Sequence, residues 1–255
     1  MLKNFLGKLF GDSFASGLRA ADPERWEASL LDRVRETSPN DPLIGAKVGG
    51  KELASRLIEA MKKDSGVHVE SLMCAAGALG GYSCQAAVRA NNRSKGQNEL
   101  AGLSVATPDD GQKFLFGDPL NLLLAEGESS LWAFAAGGAK DCGCRNLPDL
   151  RSIFEHVAHS VGTSSFGMPR LLAEHPVHEL PYYYLERLWP QFFPFVERFC
   201  TTPEHWPALY GIAIQNLLSQ SKKRLDPCVA LQIIMESAIP MSKVQLRTNP
   251  FVDPR

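Results

Sequence analysis

The sequence predicts a single, mainly α-helical domain with one β-hairpin near residues 102–116. Apolar residues recur at helical spacing over most of the chain, and one segment alone alternates in the way that strands do. No Pro-, Gly- or Ser-rich linker divides the chain. The hydrophobic share of 44% and the charged share of 22% are typical of globular, water-soluble proteins.

The first segment, residues 1–20, is predicted to be an amphipathic helix that docks on the rest of the domain. Leu2, Phe5 and Leu9 share one helical face, and two lysines point away from it. A helix of this kind can also lie on a membrane surface, but two lysines bind lipid weakly, so docking is favoured. The segment lacks the continuous apolar core of a secretory signal.

Residues 21–245 are predicted to form the helical domain, followed by an extended tail at 246–255. Asp22 and Asp226 each precede a proline, a pattern typical of an N-cap followed by the first helical position. The stretch 67–90 is almost entirely small or apolar, which predicts a central helix. Its glycines are expected to let another backbone approach closely.

The hairpin prediction comes from two alternating runs around a turn. Leu103 and Val105 alternate with polar residues, a Pro-Asp-Asp-Gly turn occupies 108–111, and Phe114 and Phe116 resume the alternation. A lone hairpin is marginally stable in water, so this one is expected to pack on helices.

Ten aromatic residues crowd the range 182–210, part of which is helical in pattern. Pro190 and Pro194 interrupt that pattern, which predicts a helix that is kinked or split. Part of the aromatic set belongs in the core, and rings left exposed by the bend would form a partner surface or a pocket wall.

Charge and cysteine usage exclude several classes of protein. A formal net charge of −1 gives no basic field for nucleic acid, and no apolar run reaches the roughly 20 residues of a transmembrane segment. Cys74 and Cys84 fall in one predicted helix, about 15 Å apart, too far for a disulfide. With Cys228 in an apolar stretch, the cysteines are interpreted as buried free thiols in a cytoplasmic protein.

Two histidine pairs raise the question of a metal site. Glu155, His156 and His159 converge on the polar face of one predicted helix, and His175 and His178 follow in the segment EHPVHE. If that segment folds over the helix, the five side chains would suit zinc, iron or nickel. A solvated polar face is the favoured interpretation, so no cofactor is expected, and a divalent transition metal is the alternative.

Polar residues on otherwise apolar helices are candidates for a ligand pocket, although a satisfied structural network, or a solvent edge for Glu236, is the favoured interpretation. Gln85, Gln215, Gln232 and Glu236 are expected to be buried, and buried amides and carboxylates need partners. They would meet one another or line a cavity. Glu236 is the most informative of them, with Lys243 or an arginine as its expected partner.

The segment GTSSFG offers a candidate anion-binding turn. Backbone amides near Ser164 and Ser165, with Arg170 beyond them, are able to cradle an anion, although a turn-forming role is favoured. The sequence has neither a P-loop nor a dinucleotide fingerprint.

These observations predict a non-catalytic small-ligand-binding or protein-interaction module. Its partner would be a protein or a small molecule rather than a nucleic acid. The alternative is a metal-dependent, hydrolase-like enzyme with a histidine-rich site built from EHVAH and EHPVHE.

Overall fold

The computed structural model describes residues 22–109 and 111–246. The amphipathic segment 1–20 and the tail after Leu246 fall outside these residues, so the predictions made for them remain predictions. Within the described ranges, no helix is long and apolar enough to cross a membrane.

The helices, in chain order, are α1 (Pro23–Thr37), α2 (Ile44–Met61), α3 (Val69–Ser94), α4 (Asp118–Asn121), α5 (Leu131–Asp141), α6 (Leu150–Ser160), α7 (Pro181–Phe199), α8 (Trp206–Ser221) and α9 (Pro227–Met241). Helix α4 continues into a π-helical turn at Leu122–Glu126, and a 3₁₀ turn at Pro203–His205 precedes α8. Strands β1 (Ser104–Ala106) and β2 (Phe114–Phe116) form the hairpin. The predicted fold class is confirmed.

Aspartates cap three of the helices, and two of these caps, Asp22 and Asp226, are the ones that the sequence predicts. The side chain of Asp22 accepts from the Arg25 amide at 3.0 Å, and Asp226 accepts from the amide of Cys228 at 2.8 Å. Asp149 caps α6 in the same way. Each carboxylate satisfies amides that have no partner within the helix, and its charge complements the helix dipole.

Helix α3 lies at the centre of the fold and is buried on all sides from Ser71 to Arg89. It packs along α9 and also contacts α7 and α8. A Cβ atom at Gly77 or Gly81 would overlap the backbone carbonyl oxygen of Ile234 or Ala238 in α9. The two glycines are one helical turn apart, so they form a strip on which the two backbones touch. The predicted close approach is confirmed.

Helix α7 is continuous from Pro181 to Phe199, so the alternative that its prolines split it is wrong. Pro190 and Pro194 both lie on the exposed side, where water can take up the carbonyl groups that the prolines leave without partners. The opposite side packs into the core, where the ring of Trp189 stacks on Phe193 at 4.8 Å.

Most of the aromatic set lies in the core rather than on the surface. All ten rings of the range 182–210 belong to described residues, and eight of them are buried. Tyr182 is half-buried, and Tyr183, with 57% of its surface exposed, is the one ring that faces solvent.

The hairpin packs on the end of α9. Its register pairs Val105 with Leu115, and the amide of Leu115 donates to the carbonyl of Lys243 at 2.8 Å. Phe114 forms an antiparallel bridge with Val244. The chain leaving α9 therefore borders β2 on the side away from β1, which gives the short hairpin the support that it needs.

The prediction of six free cysteines is wrong for two of them. Cys144 and Cys228 form a disulfide that joins the loop after α5 to the first turn of α9. Cys228 is half-buried rather than buried. Sequence separation hid the pair, since its members are 84 positions apart. The remaining four cysteines form no disulfide, and three of them, Cys74, Cys84 and Cys200, are buried, which raises the pKa of each to about 12.

Gly81→Ala is expected to destabilise the protein by about 3 kcal/mol, because the added methyl group overlaps the α9 backbone, which cannot move aside alone. Gly137→Ala is the matched control. Gly137 also lies in a helix, but an added Cβ meets nothing closer than 3.8 Å, so up to about 1 kcal/mol of stabilisation is expected. Urea unfolding measures the free energy of unfolding of both variants. Equal changes in the two would contradict the close contact between the α3 and α9 backbones.

A thiol count tests the disulfide. Denatured protein is expected to react with four equivalents of a thiol reagent without reductant and with six after reduction. The Cys228→Ser variant should then show five without reductant, and its free energy of unfolding should fall by roughly 4 kcal/mol, since a long loop is no longer closed in the unfolded chain. Six equivalents in the unreduced parent would exclude the bond.

Candidate ligand groove and its strap

A groove of about 760 Å³ opens where the hairpin, the exit of α9 and the chain before α7 meet. Three stretches contribute most of its lining, namely residues 111–114, 162–167 and 241–246. Leu180 and Tyr182 complete the wall.

The floor of the groove is apolar and its rim is polar. Phe114, Met241 and Val244 are buried beneath it, and the ring of Phe166 meets that of Phe114 edge-on at 4.6 Å. Lys113 and Thr163 are exposed. Lys113 is the one charged side chain among the described residues that line the groove.

One wall belongs to a segment that we call the strap, residues 161–180, which joins α6 to α7 and has neither helix nor strand. Structureless connections longer than about 15 residues are uncommon in compact domains and usually carry a function. Gly162 and Gly167 turn the strap with φ angles of 76° and 75°, which favour glycine. A Cβ atom at Gly162 would also collide with Pro108 of the hairpin turn.

The first anchor of the strap is an ion pair with α9. Arg170 donates from Nε and Nη2 to Oε1 of Glu236, at 2.9 and 2.8 Å. Gln232, one turn earlier, donates to the same oxygen at 2.9 Å, and Arg170 also reaches Ser152 Oγ at 3.4 Å. Glu236 is 2% exposed, so its carboxylate depends on these donors. The predicted burial of Glu236 and its pairing with an arginine are both found.

Lys243, the other partner considered for Glu236, lies elsewhere. Its amino group donates to Oδ1 of Asn121 at 3.3 Å and lies 5.4 Å from the ring centroid of Phe116 and 5.8 Å from that of Phe154. Only 2% of Lys243 is exposed, and burial lowers its pKa to about 8. The aromatic faces supply cation–π attraction in place of a carboxylate.

The second anchor is a cluster of histidines at the start of α3, which we call the histidine clasp: His68, Glu70, His175 and His178. The ring of His178 stacks on that of His68 with centroids 3.9 Å apart. His175 Nδ1 lies 3.2 Å from Glu70 Oε1, and the backbone amide of His178 donates to Ser71 Oγ at 3.1 Å.

His68 is the N-cap of α3, and the neutral ring suits this role. Its Nδ1 accepts from the Ser71 amide at 3.3 Å and lies 2.9 Å from the Ser71 hydroxyl. Burial, the neighbouring His178 and Lys63 lower the pKa of His68, and Glu70 opposes them. A protonated Nδ1 has no lone pair for the amide, so protonation removes the cap.

A serine, a histidine and a glutamate in contact are also the components of a nucleophilic site. Ser71 is only 2% exposed, and its oxygen already accepts the amide of His178. A substrate has no access to this hydroxyl, so Ser71, His68 and Glu70 act as a helix cap and an anchor.

The five candidate metal ligands do not come together. Glu155 and His159 are exposed on α6, where Glu155 pairs with Arg151 at 2.9 Å. His175 and His178 belong to the strap and contact the start of α3. His156, also on α6, is half-buried. In the described part of the chain, no group of three or more His, Cys, Asp or Glu side chains is placed to hold a metal ion. We therefore assign none of these side chains as a metal ligand.

The candidate pocket residues separate into three places. Gln232 and Glu236 belong to the first anchor, and Gln215 donates to the Phe134 carbonyl at 2.9 Å, between α8 and α5. Gln85 donates to the carbonyls of Ser242 and Val244. Gln85 thus fixes the backbone that borders the groove without lining it.

The candidate anion turn is divided as well. Ser164 and Ser165 are exposed, and Ser165 Oγ lies 2.8 Å from Thr163 Oγ1. Arg170 is directed at Glu236 rather than at this turn. The structure therefore gives the guanidinium a carboxylate partner inside the protein.

Sequence reasoning missed the groove and half of the clasp. Lys113, Phe166 and Gln245 carry no motif, and they become neighbours only through the tertiary fold. His68 and Glu70 stand more than 100 positions before their partners on the strap. The one local signal was His68 immediately before an apolar helical stretch, a position that suits a cap.

No protein-family model, no curated protein and no solved structure matches this chain.

Arg170→Met is expected to destabilise the protein by about 3 kcal/mol, because it leaves the buried Glu236 carboxylate without its cation. Adding Glu236→Gln should restore part of this loss. Arg151→Met is the matched control, since Arg151 and Glu155 form an exposed pair on α6 worth less than about 1 kcal/mol. If urea unfolding shows equal losses for Arg170→Met and Arg151→Met, the strap is not anchored through Glu236.

Proposed function

We propose that this protein is a non-catalytic binding module whose ligand is a small amphipathic anion held in the groove beneath the strap. The observation that carries the proposal is a groove with an apolar floor and a single cation at its rim.

The size of the groove supports a small molecule. Ligand sites in proteins commonly enclose about 300–1,000 Å³, and this groove encloses about 760 Å³. Phe166, which is half-buried, offers contact to the apolar body of a ligand, and Phe114 and Met241, each 1% exposed, lie beneath it. Thr163 and Gln245 supply hydrogen-bonding groups beside them.

The charge of the lining supports an anion. Lys113 is exposed at the rim, and none of the described lining residues is acidic. A carboxylate, sulfonate or phosphate on the ligand would therefore meet attraction without repulsion from the groove itself.

The lining also favours binding over catalysis. None of the described residues that line the groove is a histidine, cysteine, aspartate or glutamate, the side chains that most often act as acids, bases or nucleophiles. The hydrolase-like alternative needs a metal site built from EHVAH and EHPVHE. The histidines of EHVAH lie on α6, whereas those of EHPVHE lie on the strap, against the start of α3. We do not carry that alternative further.

A cytoplasmic location remains a prediction of the sequence. Cys74, Cys84 and Cys200 are buried thiols, as is usual in reducing compartments. The Cys144–Cys228 bond argues against this location, because structural disulfides are rare there.

Two fluorescent probes that share the same aromatic ring system test the groove. Anilinonaphthalene sulfonate is an anion, and N-phenyl-1-naphthylamine is its uncharged counterpart. Lys113→Gln is expected to raise the Kd of the sulfonate by about threefold to fivefold, the effect of losing one exposed charge pair, and to leave the amine unchanged. Gln245→Trp should weaken both probes, because the indole fills the groove.

Lys222→Gln is the matched control, since Lys222 is exposed beyond the end of α8 and does not line the groove. It should change neither affinity. Binding of the sulfonate that is insensitive to both Lys113→Gln and Gln245→Trp would place the probe elsewhere and overturn the proposal.

A further inference from the structure

We propose that the histidine clasp is a pH-sensitive device that holds the strap closed against α3 near neutral pH and releases it on acidification, weakening the groove. This inference rests on the proposed function, because it concerns the regulation of the same groove.

The clasp joins the strap to the core through neutral imidazoles. His68 must be neutral at Nδ1 to accept from the Ser71 amide, and its ring lies against that of His178 at a centroid distance of 3.9 Å. Two unit charges about 4 Å apart repel by roughly 1 kcal/mol even when water screens them fully. Protonation of both rings therefore removes the cap and separates the stack.

Other ionisable groups surround these rings on α3, α7, the strap and the turn after α2, and they are Lys63, Glu70, His175, Glu179 and Tyr184. Glu70 attracts protonated His175 and opposes opening. Glu70 and Glu179 offer two negative charges, and Glu179 is already paired with Arg187 at 3.3 Å. Full protonation puts three imidazolium groups in this cluster with Lys63 nearby, so the positive charges outnumber the carboxylates.

The direction of the pH effect follows from the cap. Burial, His178 and Lys63 lower the pKa of His68, so the open state binds protons more tightly than the closed state. The contribution of neutral His68 to the closed clasp is complete above the unfolded value near 6.5 and is lost as the pH falls.

The clasp and the groove share the strap. Thr163, Phe166 and Gly167 line the groove from the first half of the strap, and Leu180 lines it two residues after His178. Release of His178 from Ser71 and His68 therefore frees the chain that carries Leu180. The Arg170 anchor contains no histidine, so the part of the strap before it stays attached to Glu236.

Amide hydrogen exchange at residues 172–180 reports opening of the clasp and needs no ligand. It is expressed as protection factors measured between pH 8 and pH 5.5. Wild-type protection is expected to fall by at least about fivefold as the pH is lowered, the factor that corresponds to about 1 kcal/mol of repulsion. The Kd of anilinonaphthalene sulfonate should rise over the same interval, because opening of the clasp frees the wall residue Leu180.

The variant His68→Asn/His178→Phe keeps a cap and a ring but removes the two stacked imidazoles. The remaining His175 pairs with Glu70, which favours the closed clasp, so this variant should show neither change. His156→Gln/His159→Gln, which removes two histidines on α6, is the matched control and should behave as wild type. If the pH-dependent loss of protection persists in the first variant, or disappears in the control, the clasp is not the pH-sensitive device.

If protection at residues 172–180 falls with pH but the Kd of the sulfonate does not change, the clasp is not coupled to the groove. If the groove binds no probe at any pH, the proposed function fails, and the exchange data still decide whether the clasp opens.

Discussion

The contact between α3 and α9 is the constraint on which the rest of the structure depends. Gly77 and Gly81 bring the two backbones together so closely that no side chain fits between them. With α9 fixed at this distance, Gln85 of α3 reaches the carbonyls at its exit, and the hairpin finds an edge at Val244. Glu236 is also presented on α9 toward the strap. The groove is thus a consequence of how tightly two central helices pack.

The strap and its two anchors differ in their physical chemistry. The Arg170–Glu236 pair joins a half-exposed guanidinium, which is always charged, to a buried carboxylate, and it contains no imidazole. The histidine clasp is built from imidazole side chains, the type that most often serves as a pH switch in proteins. One end of the groove wall is therefore fixed, and the other end, near Leu180, responds to its surroundings.

Local features of the fold could be predicted from sequence, whereas the site could not. Caps at Asp22 and Asp226, the central small-residue helix and the hairpin follow from patterns that a short window contains. The burial of Glu236 was also predictable, because the surrounding helix is apolar on all sides. The groove and the Cys144–Cys228 bond depend on contacts between distant segments, and one sequence carries no periodic signal for such pairs.

We propose that three segments distant in sequence form one ligand site. The most direct measurement is amide hydrogen exchange of the wild-type chain at neutral pH, with and without anilinonaphthalene sulfonate. We expect the probe to slow the exchange of backbone amides at 111–114, 162–167 and 241–246 together, with little change on α6. Protection confined to one of these segments, or spread over surfaces outside them, would contradict it.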